Sequence, residues 1–292
     1  MSKQKNQVQA GTLYVVATPI GNLADMTARA HSVLTDVDLI AAEDTRTTRR
    51  LLDLLEVTTR ARLVSYHDHN AATRAPELVE RLKEGASVAL VSDAGTPCLS
   101  DPGMRVVRAA ADAGHPVVAV PGACAFIAAV ATSGLPTDQI AFYGFLPHKA
   151  GKRRASLERL RDAPHTHVFY EAPTRVVSLL DDVCATLGDR QVSVHREITK
   201  LHEETLRGSA SAVAAELGGR AAAKGEFTVV IDGARSDQTA DETQARKLTV
   251  LLASEGLAPA SIKRVVAGFT GVRKRQVHDW LMAAADQDPI NS

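Results

Sequence analysis

The residues best suited to chemistry in this 292-residue chain stand in short polar stretches, each directly after a run of strand-forming residues. Val88 to Val91 runs into Ser92-Asp93-Ala94-Gly95-Thr96-Pro97, and Asp101-Pro102-Gly103 follows. In an open α/β sheet, ligands lie beyond the carboxyl ends of the strands, where backbone amides are free and glycine lets a ligand approach the main chain. Ser92 to Pro97 is therefore a candidate ligand cradle. The layout recurs: Leu13–Ala17 leads into Thr18-Pro19-Ile20-Gly21-Asn22, Asp38–Ala42 into Glu43-Asp44-Thr45-Arg46, Leu63–Tyr66 into His67-Asp68-His69-Asn70, and Val117–Val120 into Pro121-Gly122. Five polar or glycine-bearing loops are expected on one sheet edge. There they could read a substrate by hydrogen bonds or simply cap turns.

Several chemistries lack their signatures. There is no G-x-G-x-x-G and no G-x-x-x-x-G-K-[ST], which removes the strong case for a dinucleotide or nucleoside triphosphate. No G-x-S-x-G elbow and no H-E-x-x-H occurs. His67 and His69 with Asp68 suggest metal ligands, but alternate residues of an extended segment point to opposite sides and no second cluster completes a shell, so no metal is expected. The three cysteines, Cys98, Cys124 and Cys184, are odd in number and form no C-x-x-C pair. This fits a reducing cytoplasm rather than a disulfide framework.

The elements that must position these loops follow from the rhythm of the sequence. Helical stretches separate the strands: Asp25 is placed to cap one through Leu34 and Thr45 another through Leu55, with Thr73–Leu82, Gly103–Ala113 and Ala123–Thr132 to follow. Such alternation gives a mainly parallel sheet covered on both faces. After Gly134-Leu135-Pro136 the pattern restarts more loosely. Strands are expected at Ile140–Tyr143, His167–Tyr170, Gln191–Arg196 and Phe227–Asp232, and helices near Lys152–Arg161, Thr174–Leu187 and Ser209–Leu217, in a second α/β domain with more antiparallel character. The expected division is a loose polar tail over 1–11, α/β domains over 12–122 and 123–234, a polar linker over 235–244, and a small helical, helix-turn-helix-like bundle over 245–292. Residues 1–10 lack the apolar core of a signal peptide, and no apolar run reaches the roughly 18 residues of a membrane span. With 34 basic and 34 acidic residues the formal charge is zero. Nucleic-acid binding would thus have to use local patches such as Arg46/Arg49/Arg50, Lys149/Lys152/Arg153/Arg154 or Arg273/Lys274/Arg275.

Taken in order, Thr18-Pro19-Ile20-Gly21-Asn22-Leu23, Ala42-Glu43-Asp44-Thr45-Arg46, His67-Asp68-His69-Asn70 and Ser92-Asp93-Ala94-Gly95-Thr96-Pro97 resemble the tetrapyrrole-methylase superfamily, and more narrowly its ribosomal RNA branch. Pro121-Gly122, Gly144-Phe145-Leu146-Pro147, Phe169-Tyr170-Glu171, Arg196-Glu197-Ile198-Thr199-Lys200 and Lys224-Gly225-Glu226-Phe227 extend the match across about residues 12 to 233. The resemblance implies two α/β domains forming a homodimer, with S-adenosylmethionine in the cleft between them and the ribose 2′-hydroxyl of a cytidine in the decoding region of 16S rRNA as acceptor, free or within the small ribosomal subunit. It places Pro19, Ala94, Gly95, Thr96, Cys124, Ala125, Tyr170, Glu171, Ile198 and Phe227 on the cofactor, with Ser92 and Asp93 in the same cradle. Ala172-Pro173-Thr174, before Arg175, departs from relatives that carry serine or histidine there, which bears on substrate contacts around Arg175 and not on the cofactor site.

A sulfonium methyl donor is already activated, so the protein must align the acceptor oxygen and exclude water. A ribose hydroxyl also has to lose its proton. Glu43, Asp44, His67, Asp68, Glu197 and Lys200 all follow strands and are the candidates for that base or for a polarising cation, with no choice among them from sequence. Arg46, Asn70, Arg196, Arg273 and Lys274 are the candidate RNA contacts. Two other readings stay open: a methyltransferase of the same superfamily with a tetrapyrrole or protein substrate, and a non-catalytic nucleic-acid-binding regulator using the tail bundle. Against the first, relatives acting on tetrapyrroles commonly carry a G-x-G-x-G-D-type first loop and a Gly-Gly-Asp-Pro third loop, neither present here.

Overall fold

The computed structural model describes residues 8–220, 224–234 and 238–285, so residues 1–7 of the expected tail, 221–223 of the expected second domain, 235–237 of the expected linker and 286–292 of the expected bundle lie outside the description. The described residues form two compact units divided between Gly233 and Ala234. Both expected α/β domains fall in the first.

In the first sheet, β1 (Leu13–Val16), β2 (Leu39–Ala42), β3 (Arg62–Ser65), β4 (Val88–Val91) and β5 (Val117–Val120) are all parallel, in the order β3-β2-β4-β1-β5. Successive strand residues point to opposite faces, and both faces are buried. Tyr14, Val16, Ile40, Ala89 and Val91 pack on one side against α1 (Ala28–Asp36) and α2 (Thr45–Leu54), through Val33, Leu34 and Leu52. Leu13, Ala41, Val88 and Leu90 pack on the other against α3 (Ala71–Lys83) and α4 (Met104–Asp112), through Leu78, Leu82 and Val106. Each large side chain buried in this way contributes roughly 1.5–3 kcal/mol.

The caps differ from expectation. Asp25 lies inside a short 3-10 turn, Leu23–Asp25, capped by Asn22. Thr27, better placed, caps α1 by accepting from the Ala30 amide at 3.1 Å. Asp44 rather than Thr45 caps α2, its carboxylate accepting from the Arg46 amide at 2.8 Å.

The chain crosses to a second sheet at Pro121–Cys124. Its strands β6 (Ile140–Phe145), β7 (Thr166–Glu171), β8 (Gln191–Arg196), β9 (Glu204–Ser209) and β10 (Phe227–Ile231) run in the order β6-β7-β10-β8-β9. β6 and β7 pair parallel and the rest antiparallel. β9 was not expected, because Glu204-Thr205-Leu206-Arg207-Gly208-Ser209 is an edge strand whose polar residues show no apolar alternation; only its pairing with β8 reveals it. α6 (Ala150–Glu158), α7 (Val176–Leu187) and α8 (Ala210–Gly218) build the larger core of this half with Leu157, Leu180, Val183 and Val213. α5 (Ala125–Ser133) covers the other face, packing Ala129 and Val130 on Val168 and Val230.

The second unit holds α9 (Gln238–Ser254), α10 (Pro259–Thr270) and α11 (Lys274–Ala285) around Ala245, Ile262, Val266, Val277 and Leu281. α9 begins inside the segment expected to be a linker to 244. Gln238, Ala240, Glu242 and Gln244 all have helix propensity, and the polarity of their surroundings concealed it. Among the described residues, no helix is long and apolar enough to cross a membrane.

Candidate active site

Because the first sheet is wholly parallel, its five carboxyl-terminal loops share one edge, and the strand order sets the β1 and β4 loops side by side. They are joined there: the Thr18 amide donates to Gly95 O at 2.9 Å and the Gly95 amide to Thr18 O at 3.1 Å. Gly95 needs its missing side chain, since its φ is +81° and a Cβ would lie 3.2 Å from Ile20 Cγ2. Thr96 Oγ1 donates to Ala123 O at 3.0 Å, tying the β4 loop to the start of α5.

These loops form one wall of a cavity of about 400 Å³ between the two sheets, within the range of roughly 300–1,000 Å³ usual for small-molecule sites. Ala94, Gly95, Thr96, Cys124 and Ala125 line the first-sheet side, and Tyr170, Glu171 and Phe227 the second. Eight of the expected cofactor residues are thus brought to one cavity. Four are not. Pro19 is buried beside the loop rather than in the lining, and Ser92 is buried beneath it with Oγ donating to Ala94 O. Asp93 accepts from the Asp44 amide at 3.2 Å, and Ile198 packs into the α5 core.

The structure adds lining residues that sequence reasoning missed, among them Ile20, Leu99, Ser100, Asp101, Phe145 and Glu226. Their signal was present, since Asp101 follows the cradle directly and Phe145 and Glu226 lie in motifs already noted; what sequence lacks is the fold that brings both sheets together.

Three polar groups define the cavity's electrostatics. Glu171 is 2% exposed; its Oε1 accepts from the Ala172 amide at 2.7 Å and pairs with Arg175 Nη2 at 2.5 Å, while Oε2 has no partner among the described residues. A buried carboxylate oxygen without a partner is costly and is suited to accept from a ligand hydroxyl or amine. Burial pushes the Tyr170 phenol up to about 12, so it remains a protonated donor. Burial, reinforced by the charge of Glu43, pushes the Asp101 carboxyl up to about 6.

None of the six expected acid–base groups lines the cavity; Glu43 and Asp68 lie near enough to Asp101 of its lining to raise that carboxyl. Glu43 is raised by burial and by the neighbouring Asp93 and Asp68, with the Asp93 amide donating to Oε2 at 3.3 Å as the opposing influence. His67 Nδ1 is buried without a partner among the described residues, and its ring meets that of His69 edge to face at 5.9 Å. Asp44 is otherwise engaged: hydrogen bonds from the Arg46 side chain and amide lower it to about 2, a poor base. Glu197 and Lys200 form a latch, Nζ lying 3.0 Å from both Glu197 Oε1 and Glu226 Oε2 while the Glu226 amide donates to Glu197 Oε1 at 2.9 Å. A methyl group at Gly21 would collide with the Lys200 stem, so the latch closes over the β1 loop. Lys200 is raised by these carboxylates against the opposing effect of burial.

Two expected RNA contacts have partners within the chain. Asn70 closes its own loop, Oδ1 accepting from the His67 amide at 2.9 Å and Nδ2 donating to Ser65 O at 3.1 Å. Arg196 donates to Lys224 O at 2.6 Å and faces Glu204 at 3.6 Å. The Arg46 side chain is 90% exposed, with Asp44 as partner, and Arg273 and Lys274 are exposed on the second unit. Among the described residues, no group of three or more His, Cys, Asp or Glu is arranged to hold a metal ion.

The cavity thus lies at the carboxyl edge of a parallel sheet and is closed by a mixed second sheet. The chain belongs to the tetrapyrrole (corrin/porphyrin) methylase family, whose model matches residues 12–214. Within it, the chain is 45% identical over 98% of its length to the "Ribosomal RNA small subunit methyltransferase I" of Micromonospora olivasterospora, 91% of which is covered. It is 43% identical over 94% of its length to the protein of that name from Streptococcus pyogenes serotype M1, with 96% covered. A solved cobalt precorrin-4 methyltransferase shares the fold at a TM-score of 0.55 and 17% identity, over 76% of this chain and 95% of that one. A Thermus thermophilus uroporphyrin-III C-methyltransferase, solved with S-adenyl homocysteine, does so at 0.51 and 18%, over 75% and 96%.

Proposed function

We propose that the chain is an S-adenosylmethionine-dependent methyltransferase acting on the ribose 2′-hydroxyl of a cytidine in the decoding region of 16S rRNA. The observation that carries the reading is the cavity itself, small-residue backbone on one wall and a buried, half-satisfied carboxylate on the other. When bound, the cofactor supplies an electrophilic methyl group. The chain's residues then do the rest. Ala94, Gly95, Cys124 and Ala125 give an apolar, close-fitting wall; Thr96 fixes the wall's backbone; Glu171 Oε2 accepts a ligand donor; Phe145 and Phe227 exclude water.

Of the six candidate groups, Glu43, His67 and Asp68 are left to receive the 2′-hydroxyl proton, because Asp44 is engaged with Arg46, and Glu197 and Lys200 with each other. Glu43 is raised by burial, which strengthens it as a base. Asp68 adds negative potential beside it, and Arg46 is free to reach a phosphate beyond Asp44. Exposed Ile127 on α5 and Ile140 and Tyr143 on β6 support a homodimer, since a second copy would cover them. The cytoplasm is the compartment that holds such a substrate.

The test is methyl transfer to matched decoding-region RNAs carrying cytidine or 2′-deoxycytidine at the target. Cytidine RNA should accept one methyl group and deoxy RNA none, because the attacking oxygen is missing. Full incorporation into the deoxy RNA refutes ribose methylation, whatever the fold.

A further inference from the structure

The second unit carries a basic groove for which the cleft chemistry has no use. From Ala245 to Leu281 the sequence holds seven Lys or Arg against two Asp or Glu, in a chain whose formal charge is zero. The fold concentrates this excess. Ala260, Lys263 and Arg264 share one face of α10, at helical spacings of three and four. Across from them stand Lys274, Arg275 and His278 of α11, and the six residues line one groove of about 430 Å³. No acidic residue lines it.

These cations are also unengaged. Lys263, Arg264, Lys274 and Arg275 have no ion pair or side-chain hydrogen bond among the described residues. Of the cations near the cleft, three are committed by contrast: Arg175 to Glu171, Arg196 to Glu204, and Lys200 to Glu197 and Glu226. Four like charges gathered without counter-ions repel one another, and a polyanion that neutralises them recovers that energy and releases its own counter-ions. The small Ala260 leaves the groove open between the cationic stems. A concave, acid-free groove between two helices suits a chain of phosphates better than a planar lipid surface. It offers no array of paired acceptors for base edges, so the contact is to backbone.

We propose that the α10–α11 groove is a phosphodiester-backbone site that tethers the RNA substrate separately from the cofactor cleft. This rests on the RNA-methylating reading above. Two covalently linked binding units raise the effective concentration of RNA at the cleft without adding any base contact there.

The experiment uses the full chain and its variant Lys263→Gln/Arg264→Gln/Lys274→Gln/Arg275→Gln, with a decoding-region rRNA fragment and an unrelated RNA of equal length. Binding is titrated between about 50 and 300 mM salt. Four phosphate contacts at roughly 0.7–0.9 each should flatten the slope of log K against log salt by about 3, and weaken binding on the order of a hundredfold at about 150 mM salt. Both RNAs should lose affinity alike, S-adenosylmethionine affinity measured by calorimetry should not change, and the double variants Lys263→Gln/Arg264→Gln and Lys274→Gln/Arg275→Gln should each give about half of the slope change. An unaltered slope overturns the site. So does a variant that loses binding to phosphatidylserine vesicles while keeping the wild-type RNA slope. Wild-type protein that binds S-adenosylmethionine but neither RNA overturns the functional reading, and the groove's assignment with it.

Discussion

Asp101→Asn should stabilise the first unit while impairing its function, and the pH dependence of the gain identifies the cause. Burial pushes the Asp101 carboxyl from its ordinary 3.8 to about 6, with the charges of Glu43, Asp93 and Asp68 acting in the same direction and Ser92 against it. The folded protein therefore holds a proton that the unfolded chain has released between these two values, and wild-type stability declines as pH rises through that window. A shift of about two units corresponds to about 3 kcal/mol. Asp101 is only partly buried, and allowing for solvent screening leaves about 1.5 kcal/mol. Asparagine keeps the shape and removes the charge. At pH 8 the variant should melt about 4 °C higher, taking roughly 2–4 °C per kcal/mol for a unit of this size. At pH 4 the two proteins should melt together, because wild-type Asp101 is then protonated. Calorimetric scans at the two pH values measure this. An equal difference at both, or a variant less stable at pH 8, refutes the account. Because Asp101 lines the cavity, the same variant should bind S-adenosylmethionine more weakly, the stability gained being that which the native site forgoes.

The other predictions concern the cavity walls and the assembly. Gly95→Val combines a left-handed backbone with a side chain that meets Ile20 and enters the cavity; calorimetry should find cofactor affinity reduced at least tenfold, and unchanged affinity would remove the β4 loop from the site. Arg175→Ala strips the buried Glu171 of its ion pair and should cost about 3–5 kcal/mol, measured by denaturant unfolding, whereas a loss below about 1 kcal/mol would mean that water reaches the carboxylate. Light scattering at micromolar concentration should give twice the 31.1 kDa chain mass, and Ile127→Asp should shift it toward the monomer.

What could be read from sequence tracks how local the cause is. The five parallel strands were legible because each is a short, largely apolar run leading into a polar, glycine- or proline-bearing loop, so the loops could be assigned to one edge before any pairing was known. The helix starts were less so: Asp25 and Thr27 are both good caps two residues apart, and only the 3-10 turn capped by Asn22 decides which one begins α1. β9 and the first turns of α9 were missed for opposite reasons. An edge strand takes its order from its partner β8 rather than from its own residues, and a polar helix start looks like a linker until its helix propensity is weighed.

The site shows the same division more sharply. Ala94 to Thr96 are near one another in sequence and were assigned together, but Glu171 becomes informative only when Arg175 and the Ala172 amide satisfy one oxygen and leave the other bare. Asn70 and Arg196 show the complementary case. Their types suit RNA, yet Ser65, His67, Lys224 and Glu204 had already engaged them, and engagement is a tertiary fact. Residue type says what a side chain can do; whether it is free to do it depends on which neighbours the fold supplies. By that measure the groove of α10 and α11, where type and freedom coincide in four cations, is the strongest candidate for an RNA contact, and the raised carboxylates Glu43 and Asp101 are the strongest candidates for acid–base work.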